Sequence, residues 1–276
     1  MKNNMKKISR KDLADIQNDQ KPNFEIAINK VGVSELILPI FISQKVGGYQ
    51  NSTAKISCSV DLAANLKGIN MSRLPITIHD YIDRPLSGKL IEEIAEQVRI
   101  NSEAETCELT YTFPYFIKKF APESNIPGLV HHEVSFNGVK SKDNFRFRFS
   151  VETITTNLCP CSKEISVSGA HNQRCHIKVM CQQKPGEWIW IEDIIQLAEN
   201  SSSCEIFSVL KREDEKYVTE KAYENPMFVE DVVRSCYDKL SKMTKLAAFR
   251  VEATAMESIH LHNAKATMES KCKNGN

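Results

Sequence analysis

The sequence predicts an α+β protein, with antiparallel strands and helices laid on one face. Three observations carry that reading. Between residues 143 and 155, Phe145, Phe147, Phe149 and Val151 alternate with Arg146, Arg148 and Ser150, the period of a half-buried antiparallel strand. Residues 86–102 place Leu90, Ile91, Ile94 and Val98 at helical spacing behind Ser87, a suitable N-cap. The second half then loosely repeats the plan of the first.

In chain order, residues 25–43 are rich in β-branched and apolar side chains and predict long strands or a hairpin, with a bend at Gly32. Residues 54–62 alternate as another strand, 86–102 form the helix, and 107–116 return to strand character. The strand over 143–155 leads into a Cys-Pro-Cys turn. Beyond it, 176–181 predicts a strand and 191–200 a helix. A second helix over 226–243 has Val229, Val232, Val233, Cys236 and Leu240 on its apolar face and Pro226 in its first turn. A final long strand covers 249–266. The expected division is a weakly ordered lead-in over 1–22, a first unit over 23–140, a second over 141–268 and a frayed polar tail over 269–276.

A chain of 276 residues can bury a sizeable core. Its formal charge of +1 argues against a general nucleic-acid or anionic-membrane binder. No apolar run approaches the ~20 residues that cross a bilayer. No apolar stretch follows the lysines of residues 1–11, so a cytoplasmic protein is expected. The nine cysteines then read as thiols, core residues or ligands, and their odd number fits.

The segment Thr155-Thr156-Asn157-Leu158-Cys159-Pro160-Cys161-Ser162-Lys163-Glu164 sets two thiols two residues apart, and His171 follows the first by twelve. Proline between the cysteines fixes φ near about −65° and holds both sulfurs in place. The polar flanks suit a metal ion or an activated thiolate better than a core, and no second paired knuckle completes a structural zinc module. In Glu257-Ser258-Ile259-His260-Leu261-His262, the two imidazoles share a face if the segment is a strand. There they can ligate a metal or shuttle protons, the plainer alternative being a surface pair. Leu210-Lys211-Arg212-Glu213-Asp214-Glu215-Lys216 reads as a solvated charged loop. Glu230 reads as a helix-surface carboxylate in the favourable first turn.

Taken jointly and in order, several of these motifs resemble those of the bacterial type IB GTP cyclohydrolases. They are Thr156-Asn157-Leu158-Cys159-Pro160-Cys161-Ser162-Lys163, Gly169-Ala170-His171-Asn172-Gln173-Arg174, Leu210-Lys211-Arg212 with Asp214-Glu215-Lys216, and Asn225-Pro226 with Phe228-Val229-Glu230-Asp231. Glu257-Ser258-Ile259-His260 with His262, Asp15-Ile16-Gln17, Gly32-Val33-Ser34 ahead of Pro39-Ile40, and Met71-Ser72-Arg73 also match. The resemblance implies a tunnelling fold of two tandem units whose sheets close into barrels, assembled as a homotetramer with sites at subunit interfaces. It implies hydrolysis of GTP to 7,8-dihydroneopterin triphosphate and formate, which enters folate synthesis and also feeds queuosine-type deazapurines. It implies one divalent ion per site, zinc, manganese or iron(II), held by Cys159, His171 and Glu215, with His260 and His262 moving protons. By the same resemblance, Glu230 anchors guanine. Arg73, Lys163, Arg174, Lys211 and Arg212 are candidate phosphate contacts, and Cys161 is a candidate redox modulator of Cys159. Asn70, Leu74, Leu261 and Asn263 depart from the usual pattern without removing a proposed ligand. The competing readings are another pterin or deazapurine enzyme of the same fold, or a non-catalytic metal- or redox-sensing thiol protein.

Overall fold

In the computed structural model, residue 17 and residues 20–270 are described; most of the expected lead-in and tail, and the match at Asp15 and Ile16, lie outside them. The chain runs β1 (Ile28–Ser43), β2 (Tyr49–Leu62), α1 (Arg73–His79), α2 (Gly88–Asn101), β3 (Thr106–Phe120), β4 (Pro127–Ser141) and β5 (Phe145–Leu158). It continues with α3 (Pro160–Ile165), β6 (Asn172–Gln183), α4 (Ile191–Glu199), β7 (Cys204–Glu205), α5 (Arg212–Glu224), α6 (Val229–Ser241), β8 (Leu246–Ala255) and β9 (Ala264–Glu269). The strands hydrogen-bond in the order β1-β2-β3-β4-β5-β6-β8-β9, with β7 on β5. The β5–β6, β5–β7, β6–β8 and β8–β9 pairs are antiparallel. The mixed α+β class is as the sequence predicts.

The chain forms two compact units. One comprises Lys55–Thr110 and Gly138–Arg146 with the chain up to Leu38; the other comprises Pro39–Ala54, Tyr111–Asn137 and the chain from Phe147 onward. They alternate along the sequence.

In the first unit, α2 begins where Ser87 predicts, its side chain accepting the Leu90 N–H at 3.2 Å. Leu90, Ile91, Ile94 and Val98 are buried. Gly32 does not bend β1. A Cβ there would lie 2.0 Å from the Cys58 carbonyl oxygen, so glycine serves a close approach of backbones in an unbroken strand.

In the second unit, Val229, Val232, Val233, Cys236 and Leu240 are the buried face of α6. Burial of each aliphatic side chain contributes roughly 1.5–3 kcal/mol. Pro226 precedes this helix instead of opening it, because the Met227 N–H is taken by the Leu158 carbonyl at 3.0 Å. The strand expected over 249–266 is two strands: β8 ends at Ala255, residues 256–263 form a loop, and β9 returns antiparallel. The charged stretch expected to be a loop is the start of α5. Asp214, fully buried, accepts the N–H groups of Lys211, Glu123 and Ser124 and the Ser124 hydroxyl, at 2.6–2.9 Å. Burial alone would raise its pKa; those donors, led by Ser124, outweigh it and hold the carboxyl well below its ordinary range.

His132 on β4 is 2 % exposed, and neither ring nitrogen has a hydrogen-bond partner among the described residues. Burial first, then the charges of Lys119 and His131, push its pKa down to about 4. The unfolded imidazole takes a proton near pH 6.5, so this group leaves stability intact above that pH and removes it as pH falls toward 4. The loss expected over that window is about 3 kcal/mol. His132→Phe is expected to flatten the acid limb of a urea-unfolding series run from pH 7.5 to 4.5; an unchanged slope would contradict the assignment.

Candidate active site

A cavity of ≈ 340 Å³ lies in the second unit where β5 ends and β6 begins. That volume falls in the range of small-molecule sites, roughly 300–1,000 Å³. Cys159, His171, Gln173, Glu230, His260 and His262 all line it.

The β5–β6 ladder brings Cys159 and His171 together. Its last pairs are Asn157 with Gln173 and Leu158 with Asn172, and the Cys159 N–H then donates to the His171 carbonyl at 3.1 Å. Ser162 ties the two again: its hydroxyl donates to the Cys159 carbonyl at 3.1 Å and accepts the His171 N–H at 3.2 Å. Cys159 is the N-cap of α3, with Pro160 at the first position, and Sγ accepts the Ser162 N–H at 3.5 Å. His171 Nδ1 lies 2.9 Å from Gln173 Oε1, and Gln173 Nε2 donates to Glu257 at 3.5 Å. An Nδ1–H donated to Gln173 leaves the Nε2 lone pair free for a ligand.

Glu230 stands exposed in the first turn of α6. His260 and His262 lie on the 256–263 loop and not on a strand. They still project together, their rings stacked at 5.0 Å and 12°. Exposed Phe228 adds an aromatic face to the cavity.

The other candidates lie elsewhere. Glu215 is exposed on α5, outside the cavity lining, and no three His, Cys, Asp or Glu side chains among the described residues are arranged to hold a metal. Cys161 is exposed on α3. Lys163 donates to the Tyr223 carbonyl and covers that ring at 4.3 Å. Arg73, in the first unit, donates to the Asn101 carbonyl at 2.8 Å. Arg174, Lys211 and Arg212 are exposed and none of the three lines the cavity. The cation that does line it is Lys265, ion-paired with Glu252 at 2.9 Å. Sequence reasoning gave no role to Lys265, Asn157 or Gln173. Two-residue alternation from Cys159 and from His171 marks the last two.

The family model for type I GTP cyclohydrolase folE2 matches residues 13–266. The chain belongs to this family. GTP cyclohydrolase FolE2 of Azoarcus sp. is 43% identical over 258 residues, covering 93% of this chain and 94% of the relative. FolE2 of Syntrophus aciditrophicus is 42% identical, covering 94% of this chain and 100% of the relative. Among solved structures, uricase from Arthrobacter globiformis superposes with a TM-score of 0.53 at 4% identity, covering 90% of this chain and 95% of that one. Urate oxidase from Bacillus sp. TB-90 gives 0.52 at 9%, covering 88% and 99%. At such identities the likeness is one of fold alone. No described helix of this FolE2-family chain is long and apolar enough to cross a membrane.

Proposed function

We propose that this FolE2-family protein is a GTP cyclohydrolase of type IB that converts GTP and water to 7,8-dihydroneopterin triphosphate and formate in the cavity at Cys159. The observation that carries the reading is the convergence of Cys159, His171, Glu230, His260 and His262 on one cavity. The Glu230 carboxylate accepts the guanine N1–H and 2-amino hydrogens; adenine, with an acceptor at N1 and no 2-amino group, is rejected. The stacked imidazoles of His260 and His262 carry protons to and from the opening ring. Phe228 offers the base a stacking face.

Cys159 and His171 fit two ligands of a divalent ion: a sulfur and an imidazole side by side, the latter oriented by Gln173. Glu215 does not join them within one chain. In this reading it comes from a neighbouring copy, in a homotetramer of tunnelling-fold subunits whose sites lie between subunits. The fold likeness to uricases supports the subunit fold of this reading, not its assembly. Arg73, Lys163, Arg174, Lys211 and Arg212 would meet the triphosphate in the same assembly. The mixed donor set suits zinc, manganese or iron(II). When bound, the ion supplies a water nucleophile at neutral pH. In the same reading, exposed Cys161 modulates Cys159 by reversible oxidation. The reading places the enzyme in the cytoplasm, at the entry to folate synthesis, with queuosine-type deazapurines as a further outlet.

Incubation with GTP is expected to yield formate and, after oxidation and dephosphorylation, neopterin in equal amounts, with ATP inert. Formate without neopterin, or turnover of ATP, would overturn the reaction assigned. Gln173→Leu is expected to weaken metal affinity about 10–100-fold. Competition with a chelator measures this directly; unchanged affinity would remove Gln173 from the metal site.

A further inference from the structure

Among the residues lining the cavity, Asn157 alone is buried and carries a polar atom with no hydrogen-bond partner among the described residues. It is 1 % exposed. Its amide has a defined orientation, because Nδ2 donates to the Met227 carbonyl at 3.4 Å. Turning the amide over would set Oδ1 against that carbonyl, so Oδ1 is the acceptor left over. A buried acceptor of this kind is uncommon in a native protein, and its place in the cavity wall opens it to a bound molecule.

Asn157 and Cys159 are two residues apart on extended backbone, so their side chains share a face. The contact with Met227 joins the same side chain to the segment that leads into Glu230. A guanine held at Glu230 with C8 toward Cys159 therefore passes Asn157. On the C8 edge of the base in GTP, N7 and O6 are acceptors, and the 2-amino hydrogen that Glu230 leaves over lies on the opposite edge, so no N–H of that edge satisfies Oδ1. Water addition changes that. The water oxygen bonds C8, the C8=N7 π pair moves to N7, and N7 takes the water's proton, giving C8–OH and N7–H.

We propose that Asn157 Oδ1 accepts the hydrogen bond of that new N7–H, making Asn157 a catalytic residue that binds the C8 hydrate and not GTP itself. The inference rests on the cyclohydrolase reading. An acceptor that finds its donor only as the hydrate forms favours the transition state over the substrate, and therefore acts on kcat.

The probe is 8-oxo-GTP, which carries an N7–H in a stable ring, measured as an inhibitor of GTP turnover by the loaded enzyme. Asn157→Leu is expected to lower kcat about 10–100-fold, leave the KM for GTP within about threefold, and raise the Ki of 8-oxo-GTP about tenfold. Asn157→Asp keeps the acceptor and is expected to keep that Ki within about threefold. Asn157→Ala is read in the same way if the leucine variant is not folded. An unchanged Ki in the leucine or alanine variant overturns the role, as does a KM for GTP that rises in step with Ki. Wild-type protein that does not turn over GTP overturns the cyclohydrolase reading and this inference together; turnover with an unchanged Ki overturns this one alone.

Discussion

Cys159→Ala is expected to reduce GTP turnover by about 10³-fold or more, equivalent to roughly 4 kcal/mol or more of transition-state stabilisation. The sulfur stands beside His171 at the end of the β5–β6 ladder, held by the Ser162 N–H. Removing it takes away one of the two ligands proposed above, so metal affinity is expected to fall along with rate. The fold should survive, because Cys159 is only half-buried, and its backbone bonds to the His171 carbonyl and the Ser162 hydroxyl do not need the thiol. The check is turnover and metal content on the same folded preparation. Turnover within tenfold of wild type would remove Cys159 from the chemistry.

Glu230→Ala separates recognition from chemistry. Two charge-assisted hydrogen bonds to guanine are worth about 1.5–3 kcal/mol each, so GTP affinity is expected to fall about 10²–10³-fold or more. Glu230 lies on α6, while Cys159 and His171 lie at the ends of β5 and β6, so bound metal should stay near the wild-type amount. Calorimetry with GTP and a metal assay on one sample check both halves. An unchanged GTP affinity would show that guanine is anchored elsewhere.

Strong periodicity made much of the fold legible. The phenylalanine alternation in β5 and the buried stripes of α2 and α6 reach the structure nearly unchanged, because one face of each element meets the core. Weak or mixed patterning did not. The polar α5 buries only Asp214 and Ala222, so its helical nature rests on Asp214 accepting donors from Lys211 and the 123–124 turn, a tertiary fact invisible to local pattern. β4 carries His132 among its buried positions and no prediction covered it. The division into units was hidden because they interleave.

At the site, the Cys-Pro-Cys turn and His171 were legible as neighbours once β5 and β6 were seen to pair. His260 and His262 come together for another reason than strand alternation: they stack on a loop that the β6–β8 register delivers to the cavity. Asn157 and Gln173 went unassigned because an amide inside a strand carries no motif value until its partners are known. Glu215 was named through its motif, and the single chain leaves it away from the cavity.

The most direct test of the account is metal-stripped protein given GTP, with Zn²⁺, Mn²⁺ or Fe²⁺ restored one at a time and formate measured. Formate release is expected to depend on a restored ion in the wild type and to be absent from Cys159→Ala under every ion. Equal formate from the stripped and the loaded protein, or from Cys159→Ala and the wild type, would contradict it.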